Sequence, residues 1–149
     1  MESFHAAVSW SPAGKPFDYK SYERSHSIRF GSGTTILGSA APAFLGNAAQ
    51  INPEELLVGS ASACHMLTFL AMASKKGHGV LSYEDNAEGF LEKNAGGKLF
   101  VSRIVLRPKV TFAPGQAPDQ TGLDHLHSRA HEDCFIANSI LSQVTVAAT

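Results

Sequence analysis

Two cysteines are the side chains best suited to chemistry in this sequence. Cys64 lies in the small-residue segment Gly59–His65, whose short neighbouring side chains leave space beside the sulfur, as a substrate pocket requires. Cys134 lies far along the chain, so only tertiary structure can bring the two sulfurs together. A thiolate is a nucleophile, whereas a buried thiol is an inert packing group, and the sequence leaves both interpretations open for each cysteine.

The surroundings of Cys134 favour a secondary role in catalysis. It follows one predicted helix and precedes another, and the partial positive charge of a helix N-terminus lowers the pKa of a thiol. Glu132 and Asp133 precede it directly and oppose that effect. The position therefore suits a resolving thiol better than a primary nucleophile.

Composition argues against several classes of function. The chain has 149 residues and a net charge of −1, with no basic stripe, so a nucleic-acid partner is not expected. It is 44% hydrophobic and 17% charged, and its most apolar stretch, Leu56–Ala73, is interrupted by polar residues. That stretch indicates a buried helix rather than a membrane span. The first residues do not resemble a signal peptide, so we expect a cytoplasmic protein without a permanent disulfide.

One long helix must position Cys64. Asn52 is a good N-cap, Pro53 suits the first helical position and Glu55 completes a capping box. An apolar run continues to Ser74, and Gly77 provides a C-terminal stop. The predicted helix is apolar nearly all round, so it must be covered on most sides. One small sheet covers only one face, and we therefore expect a homodimer.

The remaining elements predict a single α+β domain over residues 1–149. A second helix is predicted from about Asp119 to Glu132, with a short one after Cys134. The turn Asn94–Gly97 indicates a hairpin, and Pro108 indicates an edge position or a bulge. Alternation and β-branched content predict six strands: His5–Trp10, Tyr22–Phe30, Thr34–Leu37, Tyr83–Glu92, Leu99–Thr111 and Gln143–Ala147.

Two motifs together resemble the OsmC/Ohr family of organic hydroperoxide resistance proteins. The segment Asn52–Leu57, followed by a small-residue helix and Cys64, is similar to the first family signature. The segment Ala130–Ser139, in which Cys134 opens a short helix before the last strand, is similar to the second. His65 and Phe135 depart from the residues that well-known members often have there, Phe and Pro, which indicates a divergent branch.

The resemblance implies a fold and a mechanism. It implies an OsmC-like α+β fold in which antiparallel sheets pack on a long buried central helix, within an intertwined homodimer. It also implies that the Cys64 thiolate attacks a hydroperoxide and becomes a sulfenic acid, which Cys134 converts to a disulfide. A dithiol reductant, lipoyl-type or another thiol, would reopen the disulfide, and no metal or organic cofactor is required.

The resemblance also implies an arginine and a glutamate that serve Cys64. Arg24 best matches the family's arginine, with Arg29 as the second choice, and Glu54 matches the glutamate of the first motif. A first-turn Glu also complements the helix dipole, and a strand Arg can simply be solvated. Because a helix rises about 1.5 Å per residue, Glu54 lies roughly 15 Å along the axis from Cys64. We therefore expect Glu54 to act from the other subunit or across a bend.

Two other functions compete with catalysis. His125, His127, His131 and Cys134 are closely spaced and could in principle ligate zinc, although His125 and His127 point to different helix faces. Exposed helix histidines explain this spacing more simply. The second alternative is a non-catalytic protein that binds a small ligand in an apolar dimer cleft, because fold alone does not fix function.

Overall fold

The computed structural model describes residues 1–147 and has the predicted α+β architecture, with a long helix and mainly antiparallel sheets. The chain divides into two compact units, Met1–Leu56 and a second unit that begins at Leu57. The single domain expected over the whole chain stays a prediction, and residues 148 and 149 lie outside the described residues.

The first unit is built on a three-stranded antiparallel sheet. Its strands are β1 (Ala6–Ser9), β2 (His26–Phe30) and β3 (Thr35–Gly38), with β2 in the centre. Apolar residues align across it, since Val8 lies opposite Ile28. A 3₁₀ turn, Pro42–Phe44, follows.

The predicted strand Tyr22–Phe30 was too long, because β2 begins only at His26. The preceding backbone is bound by side chains instead of a ladder. Arg24 donates to the carbonyls of Tyr22 at 3.0 Å and Tyr19 at 2.7 Å. The indole of Trp10 donates to the carbonyl of Glu23 at 2.5 Å. With these carbonyls occupied, the segment forms a loop, so Arg24 lies before the strand and not within it.

The long helix α1 spans Pro53–Lys75 and has the predicted ends. The Glu55 amide donates to Asn52 Oδ1 at 2.8 Å, and the Asn52 amide donates to Glu55 Oε2 at 3.1 Å, which completes the capping box. At the other end Gly77 has a φ of 79°, and the His78 amide donates to the Ala73 carbonyl at 3.0 Å.

Up to residue 147, the second unit contains five strands and a second helix. Strands β4 (Val80–Asp85) and β7 (Pro108–Phe112) form a two-stranded sheet. Strands β5 (Glu88–Lys93), β6 (Leu99–Leu106) and β8 (Gln143–Val146) form a three-stranded one. Helix α2 (Gln120–Glu132) and a 3₁₀ turn (Ala137–Ser139) precede β8.

Two predicted strands are each divided in the structure. Tyr83–Glu92 breaks between β4 and β5, and Leu99–Thr111 breaks between β6 and β7. The breaks face each other across the hairpin, where the Arg107 amide donates to Asp85 Oδ1 at 2.6 Å. Pro108 opens β7 at this break, which agrees with its predicted irregular position. The Asn94–Gly97 hairpin turn is confirmed by a 2.9 Å bond from the Gly97 amide to the Asn94 carbonyl.

One pairing departs from the antiparallel expectation. Strand β8 runs parallel to β6, with Ile104 opposite Val144. The chain reaches β8 only after α2 and the 3₁₀ turn, and a crossover of that length permits a parallel return.

Helix α1 buries one stripe within this chain. Its buried residues recur every four positions: Ala61, His65, Phe69 and Ala73. By length and composition alone α1 could cross a membrane, but its buried stripe packs into two apolar clusters, as in a core helix. Its other faces are more exposed within this chain; Leu67, for example, is 62% exposed.

Candidate active site

The structure brings Cys64 and Cys134 together. Both thiols are free, and they lie close enough to interact directly. Cys64 is half-buried on α1, whereas Cys134 is only 1% exposed in the turn that follows α2. The accessible thiol is therefore the one that an incoming molecule can reach, and the buried one lies beside it.

Two apolar clusters hold Cys134 in this place. The first joins Ala61, three residues before Cys64, to Ile136 and Ala137, just after Cys134. The second packs α2 against α1 through four buried residues: Phe69, Ala73, Leu126 and Ala130. The segment that carries Cys134 lies between these two anchors, so this packing keeps it close to Cys64 on α1.

Burial raises the pKa of the Cys134 thiol, and the neighbouring Cys64 thiol raises it further. The Ala137 amide donates to Cys134 Sγ at 3.4 Å and opposes this rise. The predicted helix after Cys134 is thus a short 3₁₀ turn. Its amide lowers the pKa of the Cys134 thiol by less than burial raises it. At neutral pH Cys134 therefore stays a protonated thiol.

Arg24 lies in the first unit and is 9% exposed. Besides its two bonds to backbone carbonyls, its guanidinium lies 4.0 Å from the centre of the Tyr22 ring. It lines a cavity of about 520 Å³ together with Trp10 and Phe17. The centroids of these two aromatic rings are 5.6 Å apart. The alternative arginine, Arg29, is exposed on β2.

Glu54 lies in the first turn of α1, but Glu55 makes the capping contacts there. Among residues 1–147, Glu54 Oε2 is buried and has no hydrogen-bond partner. Nor does Glu54 form an ion pair with Arg24 within the described chain. Helix capping therefore leaves one oxygen of this carboxylate unexplained.

The histidines of α2 do not form a metal centre with their neighbours. Within residues 1–147, no three His, Cys, Asp or Glu side chains are placed to share an ion. His127 instead contacts His65, with 3.1 Å between His127 Nδ1 and His65 Nε2. The two rings are nearly parallel, at an angle of 7°.

This histidine pair is a feature that the sequence did not predict. His65 is 1% exposed, and burial lowers its pKa to about 4, with a further contribution from His127. His127 also has a pKa below its usual value because of burial, while Asp124 and Asp85 oppose the shift. Both rings are therefore neutral at pH 7. The sequence showed that His65 lies beside Cys64. It did not show that His127 contacts His65, because residue spacing does not predict contacts between distant segments.

Comparison with known proteins shows the family of this chain. Residues 46–149 match the family described as OsmC-like protein. A structure of an OsmC-like protein of unknown function from Vibrio cholerae has a TM-score of 0.94 and 41% identity, with 99% of both chains covered. The chain belongs to the OsmC-like family. The resemblance stated from the two cysteine motifs is thus confirmed.

More distant members share the OsmC-like fold. The organic hydroperoxide resistance protein OhrB of Bacillus subtilis has a TM-score of 0.66 at 18% identity, with 97% of this chain and 95% of that chain covered. The uncharacterized protein YmaD of Bacillus subtilis is 29% identical over 94 residues. That match spans 62% of each protein, less than two thirds of the relative's length. Membership in the family therefore establishes the fold, and the activity is a separate question.

Proposed function

We propose that this protein is a thiol peroxidase that reduces organic hydroperoxides through a Cys64 sulfenic acid and a Cys64–Cys134 disulfide. The observation that carries the proposal is the pairing of an accessible thiol with a buried, protonated one. An accessible thiol can meet a substrate, and a buried neighbour can meet only the product formed on the first. The division of roles follows from burial and not from the motif alone.

The proposed reaction has three steps. The Cys64 thiolate attacks one peroxide oxygen, the O–O bond breaks, and the alkoxide takes up a proton to leave as the alcohol. Cys134 then gives up its proton and attacks the sulfenic sulfur, forming the disulfide, and the displaced hydroxide takes up that proton and leaves as water. A dithiol reductant, lipoyl-type or another thiol, reduces the disulfide by two exchange reactions and is itself oxidised. Atoms and electrons balance without a metal or an organic cofactor.

We assign to Arg24 the activation of Cys64, because a partly buried thiolate requires a nearby cation. The buried, unpaired Glu54 oxygen supports a role for Glu54 in orienting that arginine. The cavity beside Arg24 has aromatic walls formed by Trp10, Phe17 and Tyr22. Such walls favour a hydroperoxide with an apolar organic group over hydrogen peroxide.

We also propose that the protein works as a homodimer in the cytoplasm. Large apolar side chains are exposed on both units, including Val8, Leu37 and Leu67. A second copy that covers them would remove this surface from water. It would also allow Glu54 to serve a site on another chain, since the rise of α1 keeps Glu54 away from Cys64 of the same helix. Sedimentation measurements will show a dimer if this is right and a monomer if it is not.

The test of the catalytic proposal is hydroperoxide consumption with cumene hydroperoxide and dihydrolipoamide. Wild type should turn over, Cys64→Ser should be inactive, and Cys134→Ser should stop after one reaction as a sulfenic acid that dimedone traps. If wild type consumes no organic hydroperoxide with any dithiol, the catalytic proposal fails. A non-catalytic ligand-binding protein on the same fold would then be the better interpretation.

A matched pair of arginine variants tests the activation step. Arg24→Ala should lower kcat/KM by about 100-fold, the usual loss for one stabilising donor. Arg29→Ala removes an exposed arginine of the same unit and should change it less than about threefold, by the same reasoning. The reverse result would assign the role to Arg29. Equal small effects would show that neither arginine activates Cys64.

A further inference from the structure

The contact between His65 and His127 joins the same two segments that carry the cysteines. His65 follows Cys64 directly on α1, and His127 lies two helical turns before Cys134. The two nitrogens are 3.1 Å apart. Helix α1 therefore meets α2 and the turn that follows it at two polar points, the imidazole pair and the thiol pair.

An apolar cluster also joins these two helices. Phe69 and Ala73 of α1 pack against Leu126 and Ala130 of α2. The centroid of the His127 ring lies 4.5 Å from the centroid of the Phe69 ring. The hydrophobic effect that drives such packing is non-directional. A hydrogen bond between two rings requires a defined distance and angle, so it selects one register of α2 on α1.

Burial indicates which ring donates. His65 Nδ1 is buried and has no hydrogen-bond partner within residues 1–147. Both rings are neutral at pH 7, so each carries one proton. An unpaired acceptor is tolerated in a protein interior more often than an unpaired N–H. The proton of His65 therefore belongs on Nε2, which donates to His127 Nδ1.

We infer that the His65–His127 hydrogen bond is a positioning device that sets the approach of the Cys134 thiol to Cys64. Neither imidazole touches substrate in this role. The bond fixes α2 on α1, and the fixed helix holds Cys134 where it can attack an oxidised Cys64. The inference deepens the proposed function, because it concerns the step in which the disulfide forms.

The measurement is the effective concentration of the two thiols, obtained from the equilibrium between the protein disulfide and a glutathione redox buffer at pH 7. His65→Phe keeps an aromatic ring but removes the donor. Because small misplacements reduce effective concentration steeply, this variant should lower it at least about tenfold. His65→Gln places an amide N–H near the position of Nε2 and should stay within about threefold of wild type, since it restores the donor.

The second pair of variants acts on the other ring. His127→Leu should reproduce the loss, and His127→Asn, whose oxygen can replace Nδ1 as acceptor, should restore the value. This pair decides the question if His65→Phe does not fold, because His127 is only half-buried. Nitrogen chemical shifts should in addition show the His65 proton on Nε2.

Three results would overturn the inference: an unchanged effective concentration in His65→Phe and His127→Leu, an equal loss in the conservative variants, or a His65 proton on Nδ1. The assay contains no peroxide, so its outcome is separate from that of the proposed function. If wild type consumes no peroxide but the variants show the expected tenfold loss of effective concentration, only the peroxidase proposal fails. If wild type is active but the variants keep the wild-type effective concentration, only the positioning role of the histidine pair fails.

Discussion

Acid should destabilise this protein through His65, and the size of the effect follows from its burial. The His65 imidazole is 1% exposed, and burial lowers its pKa from 6.5 to about 4 in the folded chain. In the unfolded chain the ring is solvated and takes up a proton near its ordinary pKa. Between these two values the unfolded state binds one more proton than the folded state.

This difference in bound protons sets the sign and the pH window. Above pH 6.5 the ring is neutral in both states and contributes no pH dependence. As the pH falls from 6.5 toward 4, protonation of the unfolded state lowers the free energy of unfolding by about 1.4 kcal/mol per pH unit. Below 4 both states are protonated and the loss levels off. At about pH 4.5 the accumulated loss from His65 is about 2.5 kcal/mol.

The assay is chemical denaturation at about pH 7.5 and about pH 4.5, at one protein concentration because a dimer's stability depends on it. His65→Gln is the matched variant, since it keeps a hydrogen-bonding side chain that does not titrate. Wild type should lose about 2.5 kcal/mol more than this variant between the two pH values. The lowered pKa of His127 adds a loss of the same sign, which both proteins share.

Parallel losses in the two proteins, within about 0.5 kcal/mol, would refute the reasoning, because the difference isolates the proton of residue 65. A larger loss in the variant would refute it as well. Titration of the His65 ring by NMR is the independent check. It should remain neutral at pH 6, and an ordinary midpoint near 6.5 would contradict the burial argument.

Three further substitutions test the fold itself by thermal or chemical unfolding. Asn52→Ala removes the N-cap that binds the Glu55 amide and should destabilise the protein by about 1 kcal/mol; no change would show that α1 does not depend on this cap. Gly46→Ala would place a Cβ 1.6 Å from the Ala40 carbonyl oxygen and should cost about 3 kcal/mol or more. Gly14→Ala is its control: the site has a positive φ but open space, so the cost should be about 1 kcal/mol. Equal costs at the two glycines would contradict the close backbone approach.

Local signals predicted the elements of this fold well. The capping box of Asn52 and Glu55 lies within a few residues of sequence, and so does the glycine that ends α1. The predicted start of β2 was wrong and the break near Arg107 was missed, because each depends on a side chain that is distant in the sequence. Trp10 binds the Glu23 carbonyl before β2, and Asp85 binds the Arg107 amide at the break.

The sequence predicted one part of the candidate site, the thiol pair, but not the histidine pair beside it. Two motifs, through their family resemblance, indicated that Cys64 and Cys134 act together, and the structure places the thiols side by side. No spacing rule indicated that His65 would meet His127, because helical periodicity defines a face but not the element it contacts. The parallel pairing of β8 was missed for the same reason. Contacts between distant segments are decided by packing of the whole unit.

The roles of the two thiols are tested most directly by a single reaction with one equivalent of cumene hydroperoxide, followed by mass spectrometry and measurement of the alcohol. We expect one equivalent of cumyl alcohol and a protein that has lost two hydrogens, with peptides of Cys64 and Cys134 joined by a disulfide. Cys134→Ser should give the same alcohol but a sulfenic acid at Cys64. Unchanged peroxide with both thiols still free, or oxidation at Cys134 first, would contradict the assignment of the two roles.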